Sequence, residues 1–395
     1  MKNDFVFTSE SVTEGHPDKL CDQISDAIVD KFLQQDPYSN IVAECAVSTA
    51  IVFIAARFDS KASVDFTNVA RNMIDTVGYN TKEFNSKTCS IVTSLKEETN
   101  KRYTEFDENS LSDDEIEKIA GKHQVTVFGY ACDEGPELMP SPIVFAHKLA
   151  RQIKSARINK VIPYLTPDGK TQVGIEYKDN APYRVHSITV VVSQNKHSGP
   201  EIDELRSDVY EAIIKPVFEA ESLKPDANTL IFINPDGPSI IGGPSTHSGL
   251  TGRKTSMDTY GAYARGGGAA LSGKDPMRMD RIGAYAARYA AKNVVASGLA
   301  KQCELYLSYC IGLTRPVSLY VDTYGTGIIP DAEIASLVKK HFDFRLAAIL
   351  KEFNLRHLPA KHKNGFYRKL AVFGHMGRTD LDVPWERTDK VHLLK

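Results

Sequence analysis

Four short blocks of charged residues, each flanked by glycine or proline, lie far apart in the sequence. They are EGHPDK at residues 14–19, PDGK at 167–170, GLTGRK at 249–254 and SGKDP at 272–276. Each block places a cation or a carboxylate on a segment whose backbone N–H groups can approach an anion. Together they predict a polyphosphate site with Mg²⁺, assembled from distant parts of the chain.

The first block precedes an amphipathic helical pattern that begins at Asp18. His16 and Asp18 are therefore expected near a helix N-terminus, where phosphate binds well, with Ser11 or Thr13 as the capping residue. Asp18 also offers the hard oxygen ligand that Mg²⁺ prefers. The alternative is that Asp18 only caps the helix and His16 packs in a loop.

The other blocks are weaker signals when each is taken alone. Residues 167–170 have the chemistry of an ordinary β-turn, and residues 249–254 end in two adjacent cations after a glycine-punctuated loop. Residues 266–274 (GGGAALSGK) offer a flexible backbone and a lysine but lack the Walker A spacing. Asp280 is interpreted either as a second metal carboxylate or as a helix N-cap. No Ser-His-Asp order or HExxH motif stands out, so the prediction rests on the blocks in combination.

The bulk composition is that of an ordinary globular protein. A length of 395 residues predicts two or three domains, and 42% hydrophobic and 25% charged residues are typical values. A net charge of −2 leaves no global footprint for nucleic acid, and no apolar run is long enough to span a membrane. The six cysteines show no CxxC spacing and no secretory leader is recognisable. We therefore expect reduced, mostly buried thiols in a cytoplasmic protein.

Strand and helix patterns alternate along the chain. Runs of β-branched and apolar residues predict strands over residues 41–58, 186–194 and 305–324, the last with a break at 314–316. Apolar residues at helical spacing predict helices over residues 18–32, 203–218, 280–299 and 331–353. This recurrence indicates an α/β (α+β) fold with a three-fold internal repeat. The charge-dense residues 96–122 predict a mobile surface insertion with a short acidic helix, serving either as a linker or as a lid.

The combination of blocks resembles one family, the methionine adenosyltransferases, also called S-adenosylmethionine synthetases. The similarity runs from about residue 7 to about residue 394. It is carried by FTSESVTEGHPDK at 7–19, FGYA at 128–131, LMPSPI at 138–143, FINPDG at 232–237, IGGP at 241–244, GLTGRK at 249–254, DTYGAYAR at 258–265, SGKDP at 272–276, DRIGAYAARYAAKN at 280–293 and PWERTDK at 384–390.

This resemblance implies three α/β domains related by pseudo-three-fold symmetry, which we place at residues 1–104, 123–240 and 241–395, with a gating loop at 105–122. It implies a homodimer with active sites at the subunit interface, often paired into a tetramer. In the family, the methionine sulfur attacks C5′ of ATP and expels triphosphate, which is then hydrolysed to phosphate and diphosphate. Mg²⁺ and K⁺ are required, and neither nucleic acid nor membrane is an expected partner.

The family's motifs also assign roles to residues of this sequence. His16 matches the main catalytic group, and the catalytic cations are Lys170, Arg253, Lys254 and Lys274. Asp18 and Asp280 match Mg²⁺ ligands, and Glu44 matches the carboxylate of the K⁺ site. The nucleotide is expected to contact Asp168, Ser239, His123 and Ala270. The acceptor, methionine or a relative of it, is expected to contact Arg57, Glu98, His247 and Arg278.

Several of these positions differ from the family's pattern. Where the family has an acid, this sequence has Arg57, His123 and His247. Ser239 stands in place of a stacking aromatic and Glu98 in place of a glutamine, while Arg278 replaces a lysine conservatively. Replacing carboxylates by Arg and His removes partners for an ammonium and adds partners for an anion. Losing an aromatic stack on the base costs about 1–3 kcal/mol. The triphosphate half of the site is therefore retained, whereas the half for nucleoside and acceptor is changed.

Three hypotheses remain open at this point. The first is a methionine adenosyltransferase acting on ATP and methionine with an unusual pocket. The second is an enzyme of the same fold that displaces triphosphate from another nucleoside triphosphate or with a different, acidic acceptor. The third is a non-catalytic regulatory paralogue. The retained charges around His16 argue against the third, because a decayed site has no physical reason to keep them.

Overall fold

The computed structural model describes residues 4–98, 106–196 and 198–395. Within these ranges the strands are β1 (Phe5–Val12), β2 (Asn40–Ser48), β3 (Ile51–Asp59), β4 (Ser90–Glu97), β5 (Val125–Cys132), β6 (Leu165–Lys178), β7 (Ala181–Gln194), β8 (Leu230–Ile233), β9 (Gly249–Leu250), β10 (Gln302–Tyr309) and β11 (Ser318–Asp322).

The α-helices of the same ranges are α1 (Pro17–Gln35), α2 (Phe66–Val77), α3 (Asp113–Ile116), α4 (Ser141–Ile158), α5 (Ile202–Val209), α6 (Lys215–Glu219), α7 (Thr255–Asp258), α8 (Met279–Ala296), α9 (Asp331–His341), α10 (Leu346–Phe353), α11 (Leu358–Lys361) and α12 (Tyr367–Leu370). A π-helical turn, Tyr210–Ile214, joins α5 to α6. Among these helices, none is long and apolar enough to cross a membrane.

Three sheets form the framework, with strand orders β1-β6-β7-β8, β11-β10-β5 and β4-β3-β2-β9. Each sheet combines strands from distant parts of the chain: β1 pairs antiparallel with β6, β5 with β10, and β9 with β2. The predicted three-unit α+β architecture is therefore confirmed. The units exchange strands with one another, and this exchange brings the N-terminal block of the sequence beside the later ones.

Helices α1 and α8 are almost completely buried and carry the main core. In α1 the side chains of Leu20, Ile24 and Ile28 face inward with no exposed area. The core of α8 includes Tyr285, which stacks on Trp385 with ring centroids 3.8 Å apart. Because both helices are buried along most of their length, the charged residues at their N-terminal ends are fixed in place.

Two predictions from local pattern are wrong. Residues 331–353 form two helices rather than one, because the chain is extended at Phe342 and the Asp343 carboxylate accepts the Arg345 N–H at 3.0 Å ahead of α10. Residues 167–170 are not a turn but part of β6, where Lys170 pairs with Val12 and Val191. Pairing on both sides of β6 overrides the local turn chemistry of Asp-Gly.

The charge-dense segment is docked rather than free where the structure describes it. The predicted short acidic helix is present as α3. The Glu108 carboxylate is fully buried and accepts from Arg356 at 2.9 Å, while Arg345 pairs with Glu117 at 2.9 Å. Most of residues 106–122 are exposed, as expected of a surface insertion, and the ion pairs attach the segment to the C-terminal region around α10. The predicted mobility stays a prediction. Residues 99–105 of the same segment lie outside the described residues.

The strand predictions and the cysteine prediction agree with the structure. Residues 41–58 form the β2–β3 hairpin, and the predicted break at 314–316 separates β10 from β11. Five cysteines are buried, Cys310 is half-buried, and the six form no disulfide with one another.

Candidate active site

The N-terminus of α1 carries the first group of site residues. His16 caps the helix, and its Nδ1 accepts the Asp18 N–H at 3.2 Å, so the predicted caps Ser11 and Thr13 are wrong. The Asp18 carboxylate accepts two hydrogen bonds, one from the Leu250 N–H at 3.0 Å and one from the Lys254 ammonium at 2.7 Å. These two bonds attach the GLTGRK loop to the helix end.

A glycine permits this close approach of loop and helix. A Cβ at Gly249 would lie 2.2 Å from the Pro17 carbonyl carbon, which no side chain can accommodate. The loop therefore brings Lys254 into contact with Asp18, whereas Arg253 is more than half exposed and its Nη1 lies 3.8 Å from the same carboxylate.

Asp168 and His247 complete this group. Asp168 Oδ2 accepts the Gly243 N–H at 2.8 Å and lies 2.9 Å from His247 Nε2. The His16 and His247 rings are 4.9 Å apart. Asp168 Oδ1 is buried and has no hydrogen-bond partner among the described residues, so it is available to a ligand. We call His16, Asp18, Asp168, His247 and Lys254 the His16 cluster.

Burial controls the charge of the His16 cluster. It lowers the pKa of His16 to about 4, an effect that Asp168 opposes and Lys254 reinforces, so the ring is neutral at pH 7. Burial would raise the pKa of Asp18, but the hydrogen bonds from Lys254 and Leu250 outweigh it and lower that pKa. Burial would also raise the pKa of Asp168, but other effects outweigh it and lower that pKa. The largest of these is the hydrogen bond with His247.

A second group lies at the start of α8. The Lys274 ammonium is 3.2 Å from Asp280 Oδ1, and Arg278 Nη1 is 2.6 Å from His123 Nε2. Arg278 is the N-cap residue of α8 and Asp280 lies in its first turn, so Asp280 is not the cap. Burial and then Arg278 lower the pKa of His123 to about 4. We call Lys274, Asp280, Arg278 and His123 the Lys274 cluster.

A cavity of about 270 Å³ adjoins the Lys274 cluster, and we call it the acceptor cavity. Three of the four residues predicted to contact the acceptor, Arg57, Glu98 and Arg278, line it. The fourth, His247, lies in the His16 cluster instead. His123, predicted to contact the nucleotide, also lines this cavity, and its role stays a prediction.

The remaining predicted residues occupy separate places. Lys170 is exposed on β6, and Glu44 is exposed on β2 opposite Ala55. Ser239 is half-buried, with its Oγ 3.4 Å from the Ser193 hydroxyl. Ala270 packs on the GLTGRK loop, since a Cβ at Gly252 would approach its Cβ to 2.5 Å.

Comparison with known proteins decides the family. Sequence models of the S-adenosylmethionine synthetase N-terminal, central and C-terminal domains match residues 4–100, 117–239 and 241–387. The S-adenosylmethionine synthase of Synechococcus sp. (strain JA-3-3Ab) is 46% identical over 402 residues, covering 99% of this chain and 97% of the relative. That of Microcystis aeruginosa (strain NIES-843 / IAM M-2473) is 47% identical over 408 residues, covering 100% and 98%. The chain belongs to the S-adenosylmethionine synthetase family.

One set of residues that supports the site in this family member was not predicted from the sequence. Asp22 Oδ1 accepts the Gly252 N–H at 2.8 Å, and Asp26 Oδ1 accepts the Gly273 N–H at 2.8 Å. Asp30 accepts three successive N–H groups at residues 366–368. With Asp18 these residues form a row at four-residue spacing along α1, and that spacing was the available signal.

The metal-ligand predictions concern single carboxylates. Among the described residues, no group of three or more His, Cys, Asp or Glu side chains is placed to hold a metal ion. Asp18 and Asp280 each contribute one carboxylate beside a lysine. This arrangement suits Mg²⁺ bound mainly through substrate phosphates and water, because Mg²⁺ commonly takes only one or two protein carboxylates.

Proposed function

We propose that this protein is a methionine adenosyltransferase that joins C5′ of ATP to the sulfur of methionine and releases triphosphate. The same site then hydrolyses triphosphate to phosphate and diphosphate. The observation that carries the proposal is the buried His16 cluster at the α1 N-terminus, in a chain 46% identical to an S-adenosylmethionine synthase across its length. A helix N-terminus with adjoining cations favours the binding of a polyphosphate.

The chemistry follows from where charge develops. The sulfur lone pair forms the bond to C5′ while the electrons of the C5′–O bond leave with the triphosphate. Lys254, Lys274 and Arg253 would stabilise that growing negative charge, and such preorganised cations act mainly in the transition state. Lys170, exposed on the strand beside Val12, is proposed to bind the same leaving group.

His16 acts in this scheme as a neutral hydrogen-bond donor. Its Nδ1 accepts the Asp18 N–H, so the ring proton of the neutral form is on Nε2. A neutral donor can bind the leaving oxygen without holding the triphosphate product as tightly as a cation would. Asp168, whose Oδ1 is unpartnered among the described residues, is proposed to bind the nucleoside, together with Ser239 and Ala270.

Mg²⁺ and K⁺ belong to the same proposal. Asp18 and Asp280 would hold Mg²⁺, because carboxylate oxygens suit a hard cation. A bound triphosphate could pair with the lysines that now contact these two carboxylates and so free them for the metal. When bound, Mg²⁺ would neutralise charge on the triphosphate. Glu44 would hold K⁺, and since it is exposed in the single chain, further oxygen ligands must come from elsewhere, such as a second subunit.

A homodimer would complete the site. The outer face of β3 and β4 exposes Ile51, Phe53 and Val92 at 53, 42 and 49%, and Glu44 and Arg57 lie on the same face. Large apolar side chains gathered on one sheet face indicate a protein interface. We propose that each active site joins the His16 cluster of one subunit to the Lys274 cluster of the other, in a dimer that can pair into a tetramer in the cytoplasm.

Product analysis tests the proposed function. The purified protein is incubated with ATP, Mg²⁺ and K⁺, with and without methionine, and the products are identified by mass spectrometry. We expect S-adenosylmethionine only when methionine is present, with phosphate and diphosphate in equal amounts. Conversion of ATP to ADP or AMP alone would contradict the proposal.

A second candidate is favoured by the side chains of the acceptor cavity that are cationic or donate N–H groups. Arg57, His123 and Arg278 are suited to an acidic acceptor, to which the same nucleosyl group would be transferred. A nucleoside product that forms without methionine when an acidic acceptor is supplied would support this candidate. Failure to hydrolyse added tripolyphosphate would instead indicate a non-catalytic paralogue.

A further inference from the structure

The acceptor cavity contains two buried N–H donors without an acceptor. Arg278 Nη1 donates to His123 Nε2 at 2.6 Å, so the proton of the neutral His123 ring is on Nδ1. Both His123 Nδ1 and Arg278 Nε are buried and have no hydrogen-bond partner in the part of the chain that the structure describes. Buried donors are satisfied in nearly all proteins, so these two require an acceptor from a ligand.

The three carboxylates that line the cavity differ from these donors in burial or in hydrogen bonding. Asp275 is buried, and its two oxygens already accept the Ile41 and Met277 N–H groups at 2.8 and 2.7 Å. The other two, Asp59 and Glu98, are half-buried. The lining therefore offers a carboxylate ligand two buried donors, one of them on a cationic guanidinium. It offers an ammonium one buried neutral oxygen, Asn40 Oδ1, and two carboxylates that share their surroundings with water.

This difference determines which end of an amino acid the cavity recognises. Hydrogen bonds from buried or charged donors to a carboxylate are worth roughly a tenfold change in binding each, and two of them about 50-fold or more. An ion pair at a half-exposed carboxylate is worth about fivefold or less. Arg57 and Lys122, which also line the cavity, add to the preference for an anion.

We propose that the acceptor cavity selects its substrate mainly by the carboxylate and only weakly by the ammonium. Thioether acids that lack the α-amino group are then acceptors alongside methionine. This inference rests on the proposed adenosyl transfer and narrows its substrate class. The chemical step is unchanged: the thioether sulfur bonds to C5′, the C5′–O electron pair leaves with triphosphate, and no oxidant or proton donor is needed.

Equilibrium binding tests the inference without requiring turnover. Isothermal titration calorimetry on the full chain compares methionine with 4-(methylthio)butanoate, which keeps the carboxylate, and 3-(methylthio)propylamine, which keeps the ammonium. The butanoate should bind within about tenfold of methionine, and the amine should bind more weakly by about 50-fold or more. An amine that binds as well as methionine, with a butanoate that does not, would overturn the inference.

A variant assigns the preference to this cavity. His123→Asp places a carboxylate beside Arg278 and should lower the butanoate-to-amine affinity ratio by about tenfold or more. Arg315→Glu, at an exposed arginine outside the cavity, is the matched control and should leave the ratio unchanged. Both affinities are measured on the same variant. Partial misfolding would lower both of them and leave their ratio unchanged. An unchanged ratio in His123→Asp would contradict the assignment.

Turnover separates this inference from the proposed function. Reactions with ATP and the butanoate are analysed by mass spectrometry for the desamino sulfonium product. If the binding preference is as predicted but neither methionine nor the butanoate receives the adenosyl group, the proposed function fails, whereas selection by the carboxylate stands. If methionine receives the adenosyl group and the butanoate neither binds nor reacts, the inference fails and the proposed function stands.

Discussion

At the scale of single residues, burial keeps two histidines of the site neutral. The pKa of His16 and that of His123 are both lowered to about 4, chiefly because each ring is buried; a neighbouring cation, Lys254 or Arg278, adds to the effect. Each ring therefore acts as a hydrogen-bonding group at neutral pH. The positive charge proposed to bind the triphosphate is therefore assigned to Lys254 and Lys274.

The first prediction concerns His16 and pH. The pKa of His16 is about 4 when folded and about 6.5 when unfolded, so the unfolded chain takes the proton first on acidification. Its contribution to stability is therefore present above about pH 6.5 and is lost as the pH falls towards 4. On acidification the free energy of unfolding should therefore fall faster in the wild type than in His16→Gln. The two slopes should differ by up to about 1.4 kcal/mol per pH unit. Parallel curves in urea titrations between pH 6 and 4.5 would refute this, with the exposed His392→Gln as control.

The second prediction concerns Lys274. Lys274→Ala removes a cation from the proposed leaving group and should lower kcat by about 100- to 1000-fold, since one preorganised charge contributes that much in a buried site. The exposed Lys224→Ala should retain wild-type kcat. Steady-state kinetics with ATP and methionine measure both, and a wild-type kcat in Lys274→Ala would remove the role given to this lysine.

The types of the site residues could be predicted from the sequence, but their partners could not. His16 and Asp18 were placed near a helix N-terminus because an amphipathic pattern follows them. The bond of Asp168 to His247 and the position of His123 in the acceptor cavity depend on contacts between distant segments. Only the folded sheets bring those segments together.

At the scale of secondary structure, α1 organises the site. Its row of aspartates, Asp18, Asp22, Asp26 and Asp30, is buried and accepts backbone N–H groups from the segments around residues 250–252, 273 and 366. The first two segments lead into Lys254 and Lys274. The helix could be predicted from its 3.6-residue period, whereas the turn expected at 167–170 failed because strand pairing outweighs local propensity.

The third prediction concerns this row. Asp26→Ala leaves the Gly273 N–H without its acceptor and the buried Arg281 guanidinium without its carboxylate. Breaking a buried pair in this way should lower the free energy of unfolding by about 3–5 kcal/mol. The exposed Gln35→Ala on the same helix should change it by less than about 0.5 kcal/mol. Guanidinium denaturation measures both, and equal midpoints would show that the row is not needed for stability.

At the scale of the whole molecule, the proposed dimer explains why one chain holds two separate charged clusters. The neighbouring charges with the largest effect on His16 are those of Asp168, Lys254, Asp18 and His247, all of which belong to the His16 cluster. The three-unit fold could be predicted from the family resemblance, since the repeat itself is faint in the sequence. The exchange of strands between units could not, because local patterns do not specify pairing partners.

The fourth prediction tests site sharing. His16→Ala and Lys274→Ala subunits are co-expressed with different affinity tags, and the heterodimer is isolated. If each site takes one cluster from each subunit, one site is intact and about half of the wild-type activity returns. Tagged homodimers of each variant serve as controls and should be inactive. A heterodimer as inactive as its parents would show that both clusters act within one chain.

The central claim is that the C5′–O bond of ATP breaks, and the position of an oxygen label tests it most directly. ATP carrying ¹⁸O in the bridge between C5′ and the α-phosphorus is turned over with methionine, and the products are analysed by mass spectrometry. The account predicts that all of the label appears in the phosphate and diphosphate products and none in the nucleoside product. Label retained on adenosine, AMP or ADP would show cleavage at phosphorus and would contradict the account.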